Sequence, residues 1–307
     1  MILCCGEALI DFLPVRTADG HHAYRPVVGG SPFNAAMGIG RLGGAVGMHT
    51  GISTDLFGQM LRGELGRSGV SGRYVHEDDH QTTLAFVSLG LDEPQYAFYD
   101  EATSSRLFDP LAGPPIGAEV TMLQFGSVSL IGDPGGANLE RLFHAHRGRR
   151  VLGIDPNVRP TLVRDGAAYR RRIHGMLAKA DVIKISKADL EWLHEGVDAT
   201  AWAEERLAEG ASLVAVTDGA RGATAHGRGF RVAQPVIPQP AFVDAVGAGD
   251  AFTAGLLFSL QQAGRLTLDG LPGLTESEAA AALELAARIA SIVCGRAGAN
   301  PPFAKEL

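Results

Sequence analysis

Short apolar runs alternate along this chain with longer stretches whose apolar residues recur every three or four positions, the periods of strand and helix respectively. Ile2 to Asp11 reads as a strand, Pro32 to Leu42 as a helix, Val46 to Ile52 as a strand and Asp55 to Leu65 as a helix. Further strands follow at Met122 to Val128, Val151 to Asp155, Val182 to Ser186 and Leu213 to Thr217. Helical spacing covers Asn138 to His146, Ala167 to Lys179, Ala201 to Glu209, Asp250 to Ala263 and Glu276 to Cys294. This rhythm predicts an α/β fold, a mostly parallel, doubly wound sheet with helices on both faces.

Two stretches break the rhythm. Ala23 to Val28 and Thr82 to Asp100 are strand-like without an intervening helix, and Gly90 to Pro94 carries a hairpin signal. Strands outside a parallel sheet suggest a small β-sheet lid, formed by about 12–28 and 81–105, on a single domain spanning 1–307.

Composition narrows the class. The 27 basic and 34 acidic side chains leave a net charge of -7, which argues against a nucleic-acid partner. Three cysteines, two of them adjacent, imply no disulfide framework. Met1 to Pro14 is interrupted by Glu7 and Asp11 and makes a poor signal peptide. No apolar run reaches the ~20 residues a membrane span needs, so the expected setting is the cytoplasm, with no membrane partner. The forty glycines fall between apolar runs, where tight turns and close backbone approach use them.

One glycine turn stands directly before an alanine-rich helix, in Asp244-Ala245-Val246-Gly247-Ala248-Gly249-Asp250. Small residues there let a phosphate approach the main chain, and a helix N-terminus offers free N–H donors and partial positive charge. Asp250 at its lip suits a general base, kept ionised by that backbone potential. On residue type alone, an N-capping aspartate explains the same pattern. A second glycine pair opens another helix at Gly29-Gly30-Ser31-Pro32-Phe33-Asn34, with Pro32 in the first turn and Asn34 able to pair with two hydroxyls or simply face solvent.

Together these two stretches resemble the signatures of the ribokinase or PfkB family of carbohydrate kinases. Gly6 to Phe12, Asp155 to Pro160 and Val216 to Ala223 follow in family order, so the resemblance covers the chain, and within the family it is most similar to bacterial fructokinases. The resemblance implies a ribokinase-like αβα sandwich and ATP-dependent phosphorylation of a small sugar, fructose first, with 2-keto-3-deoxygluconate as the alternative. It implies Asp250 as base, the amides of Gly247, Ala248 and Gly249 as anion hole, and Asp11, Gly29, Gly30, Asn34, Phe98, Arg106 and Arg159 around the sugar. Ser186, Thr217, Gly219, Gly222 and Gly249 would attend ATP. Tyr96 is a further candidate in the lid, and a homodimer through the lid is implied.

The chain departs from the family pattern at its ion sites. Where the family often has Asn-x-x-Glu near Mg2+, this chain has Ser186-Lys187-Ala188-Asp189, leaving Asp189 to act through water. Ala245 and Val246 replace common threonines, so a K+ site would rest on Asp244 and carbonyls. Gly38 to Gly43 matches a dinucleotide fingerprint but closes a helix instead of opening one. No Gly-Lys-Ser or Gly-Lys-Thr occurs. His144 and His146 with Arg147, Arg149 and Arg150 read as a solvated helix end. A non-catalytic sugar or nucleotide sensor on the same fold would have no reason to keep both the base and the glycine cradle.

Overall fold

The computed structural model describes residues 1–89, 94–113 and 115–307. In chain order the first elements are β1 (Ile2–Cys5), β2 (Leu9–Arg16), β3 (His22–Gly29), α1 (Ser31–Arg41), β4 (Val46–Ser53) and α2 (Leu56–Arg67). Next come β5 (Val75–Asp78), β6 (Thr83–Leu89), β7 (Pro94–Tyr99), α3 (Ser104–Leu107), β8 (Met122–Gly126), α4 (Gly135–His146) and β9 (Val151–Asp155). The remainder comprises α5 (Gly166–Leu177), β10 (Val182–Ser186), α6 (Lys187–Leu193), α7 (Ala199–Glu209), β11 (Leu213–Thr217), β12 (Ala223–Gly227), β13 (Phe230–Gln234), α8 (Ala248–Gln262) and α9 (Glu276–Cys294).

Nine strands form one sheet in the order β13-β12-β11-β10-β9-β8-β1-β4-β5. All its pairings from β5 to β11 are parallel, and β12 and β13 add an antiparallel edge. Successive residues of a strand face opposite ways, and this divides the core in two. Ile2 and Cys4 of β1 join Phe252, Leu256 and Leu283 of α8 and α9 on one face. Leu3 and Cys5 join Leu142, Tyr169 and Trp202 of α4, α5 and α7 on the other. Aspartates 55, 165 and 198 cap α2, α5 and α7 with their side chains, and a Thr275–Glu278 capping box starts α9. No described helix is long and apolar enough to cross a membrane.

The expected strand Ile2 to Asp11 is two strands in two sheets. Gly6, at φ 151°, turns the chain out of β1, and a Cβ there would lie 2.6 Å from Pro32 and 2.7 Å from Ser129. The second sheet has the order β3-β2-β6-β7. In one row across it, Asp11 pairs in register with Val27 on one side and Ala85 on the other, and Ala85 pairs with Phe98. The alternate row carries Phe12, stacked on Phe86 at 4.5 Å and edge-on to Phe57 of α2 at 5.5 Å. The turn expected between β6 and β7 lies at 90–93, outside the described residues, as does the side chain of Tyr96.

Arg150 corrects the reading of a wholly solvated basic run. Its guanidinium is half-buried and donates to the carbonyls of Ile116, Gly117 and Val120, tying the loop before β8 to the end of α4. Arg147 and Arg149 are exposed as expected.

Candidate active site

Ligands of open α/β sheets collect at the carboxyl ends of the strands where the strand order reverses. Here the chain leaves β1 toward β4 on one side and returns to β8 on the other. Glu7, Ser127, Asp155, Ser186 and Thr217 stand at or just past the carboxyl ends of β1, β8, β9, β10 and β11. Two cavities open along this rim, and the N-terminus of α8 stands between them.

The first is a polar recess of about 120 Å³ under the small sheet, lined among others by Glu7, Asp11, Gly30, Asn34, Phe98, Arg159 and Asp250. The second is an apolar cleft of about 380 Å³, with Thr217, Gly219 and Gly222 on one wall and Ala287, Ala290 and Cys294 of α9 on another. Gly247 and Asp250 line the recess while Ala248 and Gly249 line the cleft, so one helical turn touches both.

Gly247 takes the left-handed conformation, φ 75°, and α8 has no side-chain cap. Ala248 donates its N–H to the Ala245 carbonyl at 3.2 Å, so the expected three-amide cradle is not fully free. The amides of Gly247, Gly249 and Asp250 find no partner among the described residues, so of the three expected amides only those of Gly247 and Gly249 are unpaired, with that of Asp250 beside them.

Asp250 is buried and accepts three side-chain donors. Ser31 Oγ donates to Oδ1 at 2.6 Å, Asn157 Nδ2 to Oδ1 at 3.3 Å, and Asn34 Nδ2 to Oδ2 at 2.8 Å. Burial pushes its carboxyl upward, the bonds from Ser31 and Asn34 oppose this, Asp155 adds to the rise and Arg159 counters it. Beside the backbone potential expected from the sequence, the side-chain donors Ser31 and Asn34 favour the ionised form of Asp250 against the effect of burial. Asn34 bonds Asp250 and leaves its own buried Oδ1 without a partner, an acceptor open to a ligand hydroxyl.

Asp11 projects into the recess from β2. Burial first, then the charges of Asp250 and Glu7, push its carboxyl up to about 6, against the pull of Arg159. Gly29 does not line the recess; a Cβ there would collide with Asp11 Oδ2, so the glycine makes room for that carboxylate. Gly30, at φ 103°, lies against the Glu7 carbonyl. Arg159 is on the recess wall and donates to Asn157 Oδ1 at 2.6 Å. Phe98 lines the recess; Arg106 does not, but lines an adjoining small pocket that shares Glu7, Phe98 and Val128 with it, where it pairs with Asp100 and donates to the Asp133 carbonyl at 2.9 Å.

On the cleft side, Gly222 at φ 95° lies against the Gln234 carbonyl. Ser186 does not line the cleft; it caps α6 and donates to Asp189 Oδ2 at 2.6 Å. Val158 N–H donates to Asp189 Oδ1 at 2.9 Å, so both oxygens of the expected magnesium-organising residue are engaged inside the protein. Asp244 accepts from the amides of Val246 at 2.8 Å and Gly298 at 3.1 Å, which makes it a loop fastener. Behind α8, Lys184 Nζ and Thr253 Oγ1 both donate to Asp155 Oδ2 at 2.9 Å, and Asp155 Oδ1 is buried with no partner.

Several of these residues escaped the sequence reading. Glu7, Ser31 and Asn157 were visible only as motif neighbours. The wall formed by Ala287, Ala290 and Ser291 had a faint signal, small residues three and four apart on α9.

The profile of the pfkB family of carbohydrate kinases matches residues 1–306. The chain belongs to that family. Among similar family members is a fructokinase of Rhizobium leguminosarum bv. trifolii, 40% identical over 90% of this chain and 84% of that protein. Fructokinase-1 of Oryza sativa subsp. japonica is 32% identical over 85% of this chain and 83% of its own. Among solved pfkB-like structures, the fructokinase of Xylella fastidiosa with bound ATP superposes with a TM-score of 0.84 at 28% identity, covering 97% of this chain and 93% of that one. The parallel sheet with its four-stranded companion is thus a fold this family shares with experimentally determined kinases.

Proposed function

We propose that this pfkB-family kinase transfers the γ-phosphoryl group of ATP to a hydroxyl of fructose. The observation that carries the reading is the first turn of α8: Gly249, whose amide has no partner among the described residues, lines the apolar cleft, while the next residue, Asp250, lines the polar recess. The similarity to fructokinases, one of them solved with ATP, supports that assignment of nucleotide and sugar.

The recess offers a bound sugar the acceptors Asp11 and Asn34 Oδ1, the donor Arg159 and the ring of Phe98. The sugar hydroxyl oxygen bonds to the γ-phosphorus as the bond from that phosphorus to ADP breaks, and the hydroxyl proton passes to Asp250. Free amides at the N-terminus of α8 would stabilise the charge on the transferring group. A base whose carboxyl is raised toward neutrality by burial is better matched to a late proton transfer than an ordinary aspartate.

Magnesium would accompany the triphosphate and neutralise its charge. The unpartnered Asp155 Oδ1 fits a contact to a hydrated ion better than Asp189, whose oxygens are engaged. A potassium ion would rely on carbonyls of the 244–247 loop, since Asp244 holds backbone amides. The four-stranded sheet serves as the lid of a single 1–307 domain. Tyr24 and Tyr99, 48% and 61% exposed and edge-on to Phe86, offer a face where a second copy could pair.

The test is an ATP- and Mg2+-dependent assay on fructose, 2-keto-3-deoxygluconate and ribose, with Asp250→Ala beside the wild type. Fructose should give the highest kcat/KM, and Asp250→Ala should lose on the order of 10²–10⁴ in kcat while still binding ATP. A protein inert toward every sugar would defeat the kinase reading; a preference for ketodeoxygluconate would change the substrate alone.

A further inference from the structure

The two oxygens of Asp250 are not equivalent. Oδ1 accepts from both Ser31 Oγ and Asn157 Nδ2, while Oδ2 accepts only from Asn34 Nδ2. A carboxylate oxygen offers about two in-plane lone pairs, so Oδ1 is filled and Oδ2 retains one. The donors all come from outside α8: Ser31 and Asn34 from the first turn of α1, and Asn157 from the turn after β9.

Ser31 is held for this purpose from both sides. Its N–H donates to Glu7 Oε1 at 3.0 Å, which fixes the main chain, and its hydroxyl points at the base. It performs no capping, since α1 starts at Gly30 without a side-chain cap. The two helices that carry Ser31 and Asp250 are packed closely; a Cβ on Gly38 of α1 would lie 2.6 Å from Ala254 Cβ of α8. The hydroxyl therefore reaches a base whose position relative to α1 is fixed by helix packing.

We propose, on the basis of the kinase reading above, that Ser31 is a positioning residue of the transfer step: its hydroxyl occupies Asp250 Oδ1 and leaves Oδ2 to take the sugar's proton. In that step the sugar O–H bond breaks and its proton goes to Oδ2. The electron pair stays on the sugar oxygen, which bonds to phosphorus as ADP leaves. Ser31 donates to Oδ1 throughout, and it does so more strongly while Asp250 is charged, so it favours the form that can accept a proton.

The other charged groups around Asp250 are Asp11 on β2, Asp155 on β9, Arg159 in the turn after β9, the buried Lys184 on β10 and Glu7, which lines the same recess and accepts from the Ser31 amide. None donates a hydrogen bond to Asp250 within the described residues.

The experiment compares wild type with Ser31→Ala, Ser31→Thr and Ser31→Cys, measuring kcat against pH at saturating ATP and sugar, both KM values, and the 13C carboxyl titration of Asp250, assigned by difference from Asp250→Asn. In Ser31→Ala the acid limb of kcat and the Asp250 titration should both move up by about one pH unit, a tenfold change in the protonation equilibrium. KM for ATP should stay within about twofold, Thr should restore the limb, and Cys, a weaker donor, should fall between. An acid limb and titration unmoved in Ser31→Ala would overturn the proposal, as would a change confined to KM for the sugar. If the wild type phosphorylates no sugar the kinase reading fails, and the carboxyl titration still decides whether Ser31 holds the base ionised. If Ser31→Ala does not fold, the Cys and Thr titrations carry the same decision.

Discussion

Asp11 lies on β2 with its carboxylate against Gly29, between Asp250 and Glu7 and opposed only by Arg159, and its carboxyl stands at about 6. An acid raised in the folded state binds a proton there at pH values where the unfolded chain has released it. Stability therefore falls as pH rises from about 4 to about 6 and stays lower above that window. Asp11→Asn removes this effect: at pH 7.5 the variant should be more stable than wild type by ~1–3 kcal/mol, with no difference near pH 3, while its KM for fructose rises at least tenfold. Thermal unfolding across pH checks the first part, and a variant less stable than wild type at pH 7.5 would show that the carboxylate is structurally needed. The wild-type KM should itself rise as pH drops through about 6. Asp11, Asn34 and Asp250 were picked out by motif position, and all three line the recess. Their partners were not picked out, because Ser31 and Asn157 reach Asp250 across 219 and 93 positions of chain.

At the scale of elements, the first turn of α8 depends on one backbone conformation. Gly247 is left-handed, and a Cβ on it would collide with Ala299 near the end of the chain. Gly247→Ala should cost at least ~1–2 kcal/mol from conformation alone and lower kcat more than that loss of folded protein explains, because the unpaired amides and Asp250 move together. A variant with wild-type kcat per folded molecule would separate the turn from catalysis. Strands β9, β10 and β11 and helix α9 were legible to the residue, since each is an apolar run closed by a polar or capping position. Strands β5, β12 and β13 were not. β5 and β13 are the sheet's edge strands, where partial exposure mixes polar residues such as His76, Arg231 and Gln234 into the pattern, while β12 is largely buried but sets Thr224, His226 and Gly227 among only two alanines. The break at Gly6 was hidden because apolar residues continue on both sides of it while the sheet they belong to changes.

Across the whole molecule, α1, α8 and α9 pack on one face and bring the recess and the cleft to the two sides of one helix end. Nucleotide in the cleft should therefore stabilise the fold as a unit: ADP at about a hundred times its Kd adds ~2.7 kcal/mol, a Tm rise of several degrees. Ala290→Trp, which fills the cleft from α9, should abolish that rise without removing the fold. An undiminished shift in this variant would place the nucleotide elsewhere. The sequence by itself determined the alternation of strands and helices and the order of the motifs, because these depend on residues adjacent in the chain or repeated at a fixed period. Only the tertiary structure decided which amides of the 247–250 turn are free, that Asp189 and Asp244 are engaged internally, that Arg106 is diverted to Asp100, and that Ser31 is bonded to Asp250. Those are matters of which groups meet across the sheet, and hydrogen-bond partners and burial are set by packing between segments that no local pattern connects.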